Sequence, residues 1–360
     1  MRLRKTLTSS TPAILAALGL LAACVTAGAD HSAEGNPVPA DKFDLSQWNI
    51  TVPLDKNRDS KADTIKVAEI QSYSHPDFFY LDENGHMVFA TPNKATTTPN
   101  STNTRSELRQ MLRGKKTSIS TKAPGNNFAL ASHPVANRFA SIGGRMDATL
   151  HVDHVAQRAQ IQDKFPTYSV VIGQIHAVKF DKHPKEYGWG NEPLKISFKK
   201  FPDHEYGSVY WAYERNLGKD DPDRTDIAYP VWGNTWDNPA DPGEAGLKLG
   251  EVMSYTVNVT GDIMYLTFET ERHGTTEFAI NLANNVDANG KVDALDNPYG
   301  YSGDMHYFKA GAYNQCSSKL QEGFWYPGCL GTGDWETDKA NGDYAQVTFH
   351  SLTLSPPTPR

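Results

Sequence analysis

The chain of 360 residues is long enough for one large β domain or two ordinary domains. Hydrophobic residues make up 38% and charged residues 21% of it, which is typical of a folded protein and excludes a disordered one. The formal net charge of −7 disfavours nucleic acid as a partner, and it allows a polyanionic substrate only if basic residues are concentrated in one groove.

The N-terminal segment predicts export from a bacterium. Three basic residues within the first five precede an apolar stretch over about residues 13–23, which is too short to span a bilayer. This pattern is typical of a signal peptide over residues 1–23. Removing it would take the net charge to −10, because residues 1–23 contain three basic and no acidic side chains.

Two cleavage sites compete at the end of this segment. Residues 21–24 resemble a bacterial lipobox, in which Cys24 would be lipidated, and an ordinary signal peptidase could instead cut after Ala29. We favour the lipobox, which predicts an outer-membrane lipoprotein, periplasmic or extracellular. Residues 24–42 are then a tether, and residues 43–356 are the functional domain.

The cysteines agree with export. Setting Cys24 aside leaves Cys316 and Cys329, an even pair in a chain that is destined for an oxidising compartment. We expect a disulfide that closes a short loop, and the alternative is two free buried thiols.

Short alternating segments, separated by turns, predict an all-β fold, a β-sandwich of jelly-roll type. Strands are predicted at Met87–Ala90, Arg145–Val152, Ser169–Ile175, Leu194–Phe198, Ser208–Tyr213, Tyr255–Val259, Ile263–Phe268, His306–Tyr313 and Gln346–Leu354. Asn84-Gly85, Thr260-Gly261-Asp262 and Asn289-Gly290 predict turns. The stretch Asn216–Glu244 shows no clear strand and is interpreted as a long functional or mobile loop.

The first candidate strand of a site carries alternating charges. Arg105, Glu107 and Arg109 share one face of it, while Ser106 and Leu108 point the other way. Two guanidinium groups beside a carboxylate are suited to binding carboxylates. The alternative is an ordinary solvated face.

The second candidate strand is apolar and ends in an amide and an imidazole. Gln174 and His176 share one face, and Gly173 and Ile175 point the other way. An amide can donate to a carboxylate, and His is a common general base near neutral pH. A structural His at the strand end is the alternative.

The third candidate strand places Tyr307, Lys309, Gly311 and Tyr313 on one face, with apolar residues between them that can pack inward. Gly311 leaves out a side chain, which we expect to let a bulky ligand approach the backbone. An ordinary half-buried strand is the alternative.

Together the three strands supply the groups that β-elimination from a uronate needs. Cations and an amide can neutralise the C6 carboxylate so that the C5 proton becomes acidic. An imidazole can remove that proton, and a phenol can protonate the departing O4. Cations such as Arg109 and Lys309 are expected to stabilise the phenolate of Tyr313.

These strands resemble the three signatures of polysaccharide lyase family 7, the alginate lyases. The matching segments, in the family's order, are Arg-Ser-Glu-Leu-Arg at 105–109, Gln-Ile-His at 174–176 and Tyr-Phe-Lys-Ala-Gly-Ala-Tyr-Asn-Gln at 307–315. The similarity covers roughly residues 40–356. It implies a jelly-roll sandwich with a concave substrate groove and alginate as the substrate.

The resemblance also implies residue roles. Arg105 and Gln174 would neutralise the substrate carboxylate, His176 would be the general base and Tyr313 the general acid. The residues that would hold neighbouring sugars are Glu107, Arg109 and Lys309. No metal or organic cofactor is implied, and we expect a monomer.

Stereochemistry bears on the block preference. In guluronate the C5 proton and O4 lie on opposite faces, so base and acid must differ, whereas in mannuronate Tyr313 could serve as both. Ile175 favours guluronate-containing blocks by resemblance, and an open groove favours endo action.

Other functions fit the residues less well. A glycoside hydrolase needs two carboxylates across the scissile bond, and the nearest pair, Glu269 and Glu271, lacks an intervening Asp. A non-catalytic carbohydrate-binding module would need no pair of proton-transfer groups.

Two segments imitate metal sites. The segment Asp55–Asp63 starts like a calcium loop but lacks the turn Gly and the bidentate Glu. His151 and His154 are three apart on a strand, so they are expected to be exposed and to face opposite ways rather than to bind zinc.

Overall fold

Two largely antiparallel β-sheets pack face to face in the computed structural model, which describes residues 37–159, 168–180, 188–319 and 328–360. The predicted signal peptide, Cys24 and most of the predicted tether lie outside these residues. Within the described ranges, no helix is both long and apolar enough to cross a membrane.

The strands of the described residues are, in chain order, β1 (Trp48–Thr51), β2 (Thr64–Ile65), β3 (Phe79–Leu81), β4 (Met87–Pro92), β5 (Arg105–Gln110), β6 (Phe128–Ala129), β7 (Ser141–Ile142), β8 (Gly144–His154), β9 (Ser169–Lys179), β10 (Leu194–Lys199), β11 (Ser208–Glu214), β12 (Asp226–Trp232), β13 (Met253–Thr260), β14 (Ile263–Thr270), β15 (Gly274–Asn281), β16 (Asp304–Asn314) and β17 (Tyr344–Ser355). The α-helices are short, α1 (Val67–Ile70) and α2 (Trp335–Ala340). Single 3-10 turns lie at Pro39–Asp41, Pro124–Asn126, Ala136–Arg138 and Gly243–Ala245.

The ten-stranded sheet has the order β12-β11-β10-β9-β16-β5-β1-β2, with β6 paired to β16 and β7 to β6. The seven-stranded sheet has the order β15-β14-β13-β8-β17-β4-β3. Strands distant in sequence are therefore neighbours, as in a jelly roll. The predicted all-β sandwich is confirmed.

The core lies between the two sheets because successive side chains of a strand point to opposite faces. On the three strands that carry the predicted site, Leu108, Ile175 and Phe308 are fully buried in this core. Phe89 and Phe349 of the other sheet belong to the same core. The opposite face of the ten-stranded sheet, which we call the site face, is left for polar side chains.

The nine strands predicted from alternation are all present. The prediction that Asn216–Glu244 is one long loop is wrong for the middle of this stretch. It contains β12, which pairs with β11 at the edge of the ten-stranded sheet. Pro230 lies inside β12 and weakens the strand signal. An edge strand tolerates Pro because one of its sides donates no ladder hydrogen bonds.

The role predicted for Gly311 is also wrong. Its φ is +138°, and β16 is irregular between Ala310 and Tyr313. A Cβ at this position would lie 2.6 Å from the Ser106 carbonyl oxygen and 2.9 Å from the Glu107 Cα, so it would meet β5 rather than open space. Glycine is required here by the backbone and by the neighbouring strand.

The predicted disulfide is present. Cys316 and Cys329 are bonded, with their Cα atoms 5.5 Å apart, and both are buried. Cys316 follows the end of β16 by two residues, so the bond ties down the strand that carries Tyr313.

Gly311→Ala should lower the free energy of unfolding by about 2 kcal/mol or more, because it adds a steric clash to an unfavourable φ. Gly261→Ala is the matched control, since Gly261 also has a positive φ of +63° but an added Cβ would meet nothing within 4 Å. We expect a loss of about 1 kcal/mol there. Urea unfolding measures both, and equal losses would contradict the assignment.

Candidate active site

The three predicted strands are adjacent, with β16 between β9 and β5. The cross-strand pairs that bring the site residues together are Tyr307 with His176, Lys309 with both Gln174 and Arg109, Gly311 with Glu107, and Tyr313 with Arg105. All seven residues predicted to form the site therefore share one face of one sheet. The strand register creates this arrangement, because residues of β5 and β9 are brought together across β16.

Glu107 is the centre of the cluster. Its side chain is only 2% exposed, and it accepts hydrogen bonds from the Lys309 ammonium, the Gln174 amide and, at 3.0 Å, the Arg105 Nη1. Each donor comes from a different strand. The cluster thus holds two cations around one carboxylate.

Tyr313 lies at one end of the cluster. The guanidinium carbon of Arg105 is 4.0 Å from the centre of its ring, and the Lys309 Nζ is 5.7 Å from it. The Tyr313 hydroxyl lies 3.2 Å from the Ser101 Oγ, which also accepts a 3.0 Å hydrogen bond from the Arg105 Nη2. Two cations therefore flank the phenol.

Arg109 does not take the place expected for it beside Tyr313. Its guanidinium carbon lies 3.8 Å from the centre of the Tyr307 ring, and its Nη2 donates to the Thr121 carbonyl oxygen at 3.1 Å. The cations close to Tyr313 are instead Arg105 and Lys309. The reason is geometric, since Arg109 sits opposite Lys309 and nearer to Tyr307 along the sheet.

His176 lies at the other end of the cluster. Its ring stacks on the Tyr307 ring, with centroids 5.3 Å apart, and its side chain is 30% exposed. Its Nδ1 is 2.6 Å from the Ala177 carbonyl oxygen, and its Nε2 is 2.9 Å from the Glu192 Oε1. The two contacts therefore hold the imidazole ring in one orientation.

Burial changes the ionisation of the groups between these two ends. It lowers the pKa of Lys309 to about 8, although the Glu107 carboxylate opposes the change. It also raises the pKa of Tyr307, although Arg109 opposes it. Lys309 can thus lose its charge within the working range of an enzyme.

Sequence reasoning missed Ser101 and Glu192. Ser101 lies in a loop rich in Ser, Thr and Asn, and Glu192 lies between Asn191 and Pro193 just before β10. Neither residue belongs to an alternating strand pattern. Only the tertiary structure places them beside Tyr313 and His176.

The residues that could suit a glycoside hydrolase or a metal site are not part of the cluster around Glu107. Glu269 and Glu271 are exposed, and Glu269 belongs to β14 of the other sheet. The Asp55 carboxylate accepts hydrogen bonds from the backbone of Asp59 and Ser60 in its own loop. Among the described residues, no group of three or more His, Cys, Asp or Glu side chains could hold a metal ion.

The expectation that His151 and His154 are exposed is wrong. His151 is hydrogen-bonded to His350 at 2.8 Å and to Asp153 at 3.1 Å, and the His154 ring stacks on Tyr344. Both are half-buried because cross-strand neighbours on the seven-stranded sheet cover them.

Comparisons with known proteins show the family of this chain. The sequence model of the family described as alginate lyase matches residues 43–356. An alginate lyase of Klebsiella pneumoniae is 36% identical over 324 residues, which cover 88% of this chain and 90% of that protein.

Solved structures show the same relationship. The crystal structure of the alginate lyase from Klebsiella pneumoniae matches with a TM-score of 0.70 and 33% identity over 90% of this chain and 100% of that one. The exolytic PL7 alginate lyase AlyA5 from Zobellia galactanivorans matches with a TM-score of 0.69 and 32% identity over 90% of this chain and 99% of that one. The chain therefore belongs to the alginate lyases of polysaccharide lyase family 7 and is a polysaccharide lyase.

Proposed function

We propose that the residues of the site face cleave the 1,4-glycosidic bonds of alginate by β-elimination, with His176 as the base and Tyr313 as the acid. Arg105 and Gln174 neutralise the C6 carboxylate of the sugar that reacts. The observation that carries this proposal is that these four side chains lie on one face of three adjacent strands, with an imidazole at one end and a phenol at the other.

The proposed reaction moves two protons. His176 takes the C5 proton, and the electron pair of the broken C5–H bond forms the C4=C5 double bond. The C4–O4 bond breaks, and O4 receives the Tyr313 hydroxyl proton. The cations support both steps, since neutralising the C6 carboxylate makes the C5 proton more acidic, and Arg105 and Lys309 stabilise the phenolate that remains.

The substrate-holding roles follow from the same contacts. Lys309 and Arg109 offer positive charge to the carboxylates of the reacting sugar and its neighbours. Glu107 orients Arg105, Lys309 and Gln174, because it accepts a hydrogen bond from each of them. Glu107 thus acts on the substrate partly through its partners.

A preference for guluronate-containing blocks is part of the proposal. The base and the acid are different side chains on different strands, which suits a sugar whose C5 proton and O4 lie on opposite faces. We also propose endo action on an open site face. The resemblance to an exolytic relative makes exo action the second candidate.

We also propose that the protein is exported and acts as a monomer. A disulfide within the domain supports an oxidising compartment. The lipid anchor at Cys24 and the domain start at residue 43 stay predictions.

Tyr313→Phe should lower kcat by about 10²-fold or more, because a general acid contributes about that much, while KM changes little. The ultraviolet absorbance of the new C4=C5 double bond measures turnover. Tyr265→Phe, on β14 of the other sheet, is the matched control and should stay fully active. Near-normal turnover of the Tyr313 variant would rule out this residue as the acid.

The KM for alginate should rise several-fold as the pH increases through about 8. Lys309 is charged below its pKa of about 8 and neutral above it, so the site loses a positive charge there. Lys309→Arg should remove this rise, since a guanidinium stays charged. Initial rates at several alginate concentrations and pH values measure the effect.

The exposed Lys61 is the control position for the same substitution, and Lys61→Arg should keep the alkaline rise in KM. If Lys309→Arg also keeps it, another group titrates and the role of Lys309 is wrong.

Guluronate blocks should give a kcat/KM about tenfold or more above that of mannuronate blocks, which corresponds to about 1.4 kcal/mol in transition-state binding. Early products should be a mixture of long oligomers if action is endo. Ultraviolet rates on pure blocks and product sizing over time test both points. Accumulation of a single short product from the start would favour exo action instead.

A further inference from the structure

Glu192 contacts the proposed base, His176. Its Oε1 lies 2.9 Å from the His176 Nε2, and its side chain is 22% exposed. Its backbone is docked on β11, because the Glu192 carbonyl oxygen accepts a hydrogen bond from the Glu214 N–H at 3.2 Å. The carboxylate is therefore held at the end of the site face next to the imidazole.

The hydrogen bonds of His176 decide which ring nitrogen can act as a base. The Nδ1 faces the Ala177 carbonyl oxygen at 2.6 Å, and a carbonyl oxygen only accepts, so the Nδ1 carries a proton. The lone pair of the neutral ring is then on the Nε2. The Nε2 is the nitrogen that faces Glu192. When both ring nitrogens carry a proton, the Nε2–H can therefore donate a hydrogen bond to an ionised Glu192.

The groups around Glu192 favour its ionised form. The Lys195 Nζ is 3.8 Å from its Oε2, and its backbone N–H donates to the Glu214 Oε2 at 3.3 Å. Burial opposes ionisation, but His176, Glu214 and Lys195 together hold the pKa of Glu192 well below its usual range. Burial raises the pKa of Glu214 well above its usual range, although Lys195 opposes the change.

The other charged groups nearby are Lys195 on β10, Glu214 on β11, Asp226 on β12 and Arg224 just before β12. Lys195 also pairs with Asp226 at 2.9 Å and with Glu214 at 3.4 Å, and Arg224 pairs with Glu214 at 2.8 Å. The carboxylate that contacts the imidazole directly is that of Glu192.

The His176 ring also stacks on the Tyr307 ring, and the Arg109 guanidinium lies over that Tyr307 ring. Lys309 lies on the same face of β16, two residues after Tyr307, and is bonded to Glu107. Glu192 is thus the anionic group that contacts the Nε2, whereas these two cations contact Tyr307 and Glu107.

We propose that Glu192 is a positioning residue that orients the His176 ring and stabilises its protonated form, so that this carboxylate sets the pH below which the base is unavailable. The inference rests on the proposed role of His176. Turnover requires a His176 ring whose Nε2 has lost its proton. When the C5 proton has been transferred, Glu192 stabilises the positive charge of the imidazolium as an ion pair.

Glu192→Gln tests this proposal, because an amide keeps the size and the hydrogen bond but not the charge. The acidic limb of kcat/KM on guluronate blocks should move to lower pH by about one unit, since an opposite charge within hydrogen-bond distance favours the protonated form. At the plateau, kcat should fall less than tenfold. A merely structural role would lower kcat/KM without moving the limb.

Two further variants complete the experiment. Glu192→Asp keeps the charge and should restore the limb to within a few tenths of a pH unit of the native enzyme. Glu277→Gln, an exposed position on β15 of the other sheet, is the matched control and should leave the profile unchanged. Circular dichroism shows that each variant is folded.

His176→Asn separates this inference from the proposed function. If that variant keeps its turnover on guluronate blocks, the proposed base is wrong. If it is inactive while Glu192→Gln leaves the acidic limb in place, the proposed function stands and the role of Glu192 is overturned. An equal shift in the Asp and Gln variants would also overturn it, because charge would then not be the cause.

Discussion

A buried carboxylate is the constraint on which the site depends. Glu107 is only 2% exposed, and an unpaired carboxylate at that depth would cost several kcal/mol. It is satisfied by Arg105, Lys309 and Gln174, which belong to β5, β16 and β9. The partners of Glu107 therefore depend on the order and register of these strands, because a slip of register would leave the carboxylate without its donors.

This arrangement gives the site face two different kinds of position. In the middle lie buried groups, Glu107, Gln174 and Lys309, whose orientations are fixed by one another. At the two ends lie His176 and Tyr313, which are more exposed and can meet a substrate. Such a division suits the proposed reaction, in which fixed groups hold the carboxylate of the substrate and His176 and Tyr313 transfer protons.

Charge is distributed unevenly along the same face. The cations near the predicted site come from β5 and β16, whereas Glu192, Glu214 and Asp226 lie on the side of β10–β12. A net charge of −7 for the chain therefore says little about the field at the substrate. Over a few ångströms, local pairs and burial determine which groups are ionised.

Much of the fold and of the site could be predicted from the sequence, because both rest on local patterns. Alternation of period two identified strands such as β9 and β16 and also said which of their side chains share a face. The same alternation put His176 with Gln174 and Arg105 with Glu107, and the three strand signatures carried the resemblance to the alginate lyases. β12 was not predicted, because Pro230 and the polar residue at its start interrupt the alternation of apolar and polar residues.

Strand order and register were decided only by the tertiary structure. Neither follows from a local pattern, because the partners of β16 lie more than a hundred residues before it in the chain. That is why the requirement for Gly311, the place of Arg109 on Tyr307 and the contacts of Ser101 and Glu192 could not be read from the sequence. A single chain segment determines its own conformation and which faces it presents, while the identity of its neighbours depends on how the whole core packs.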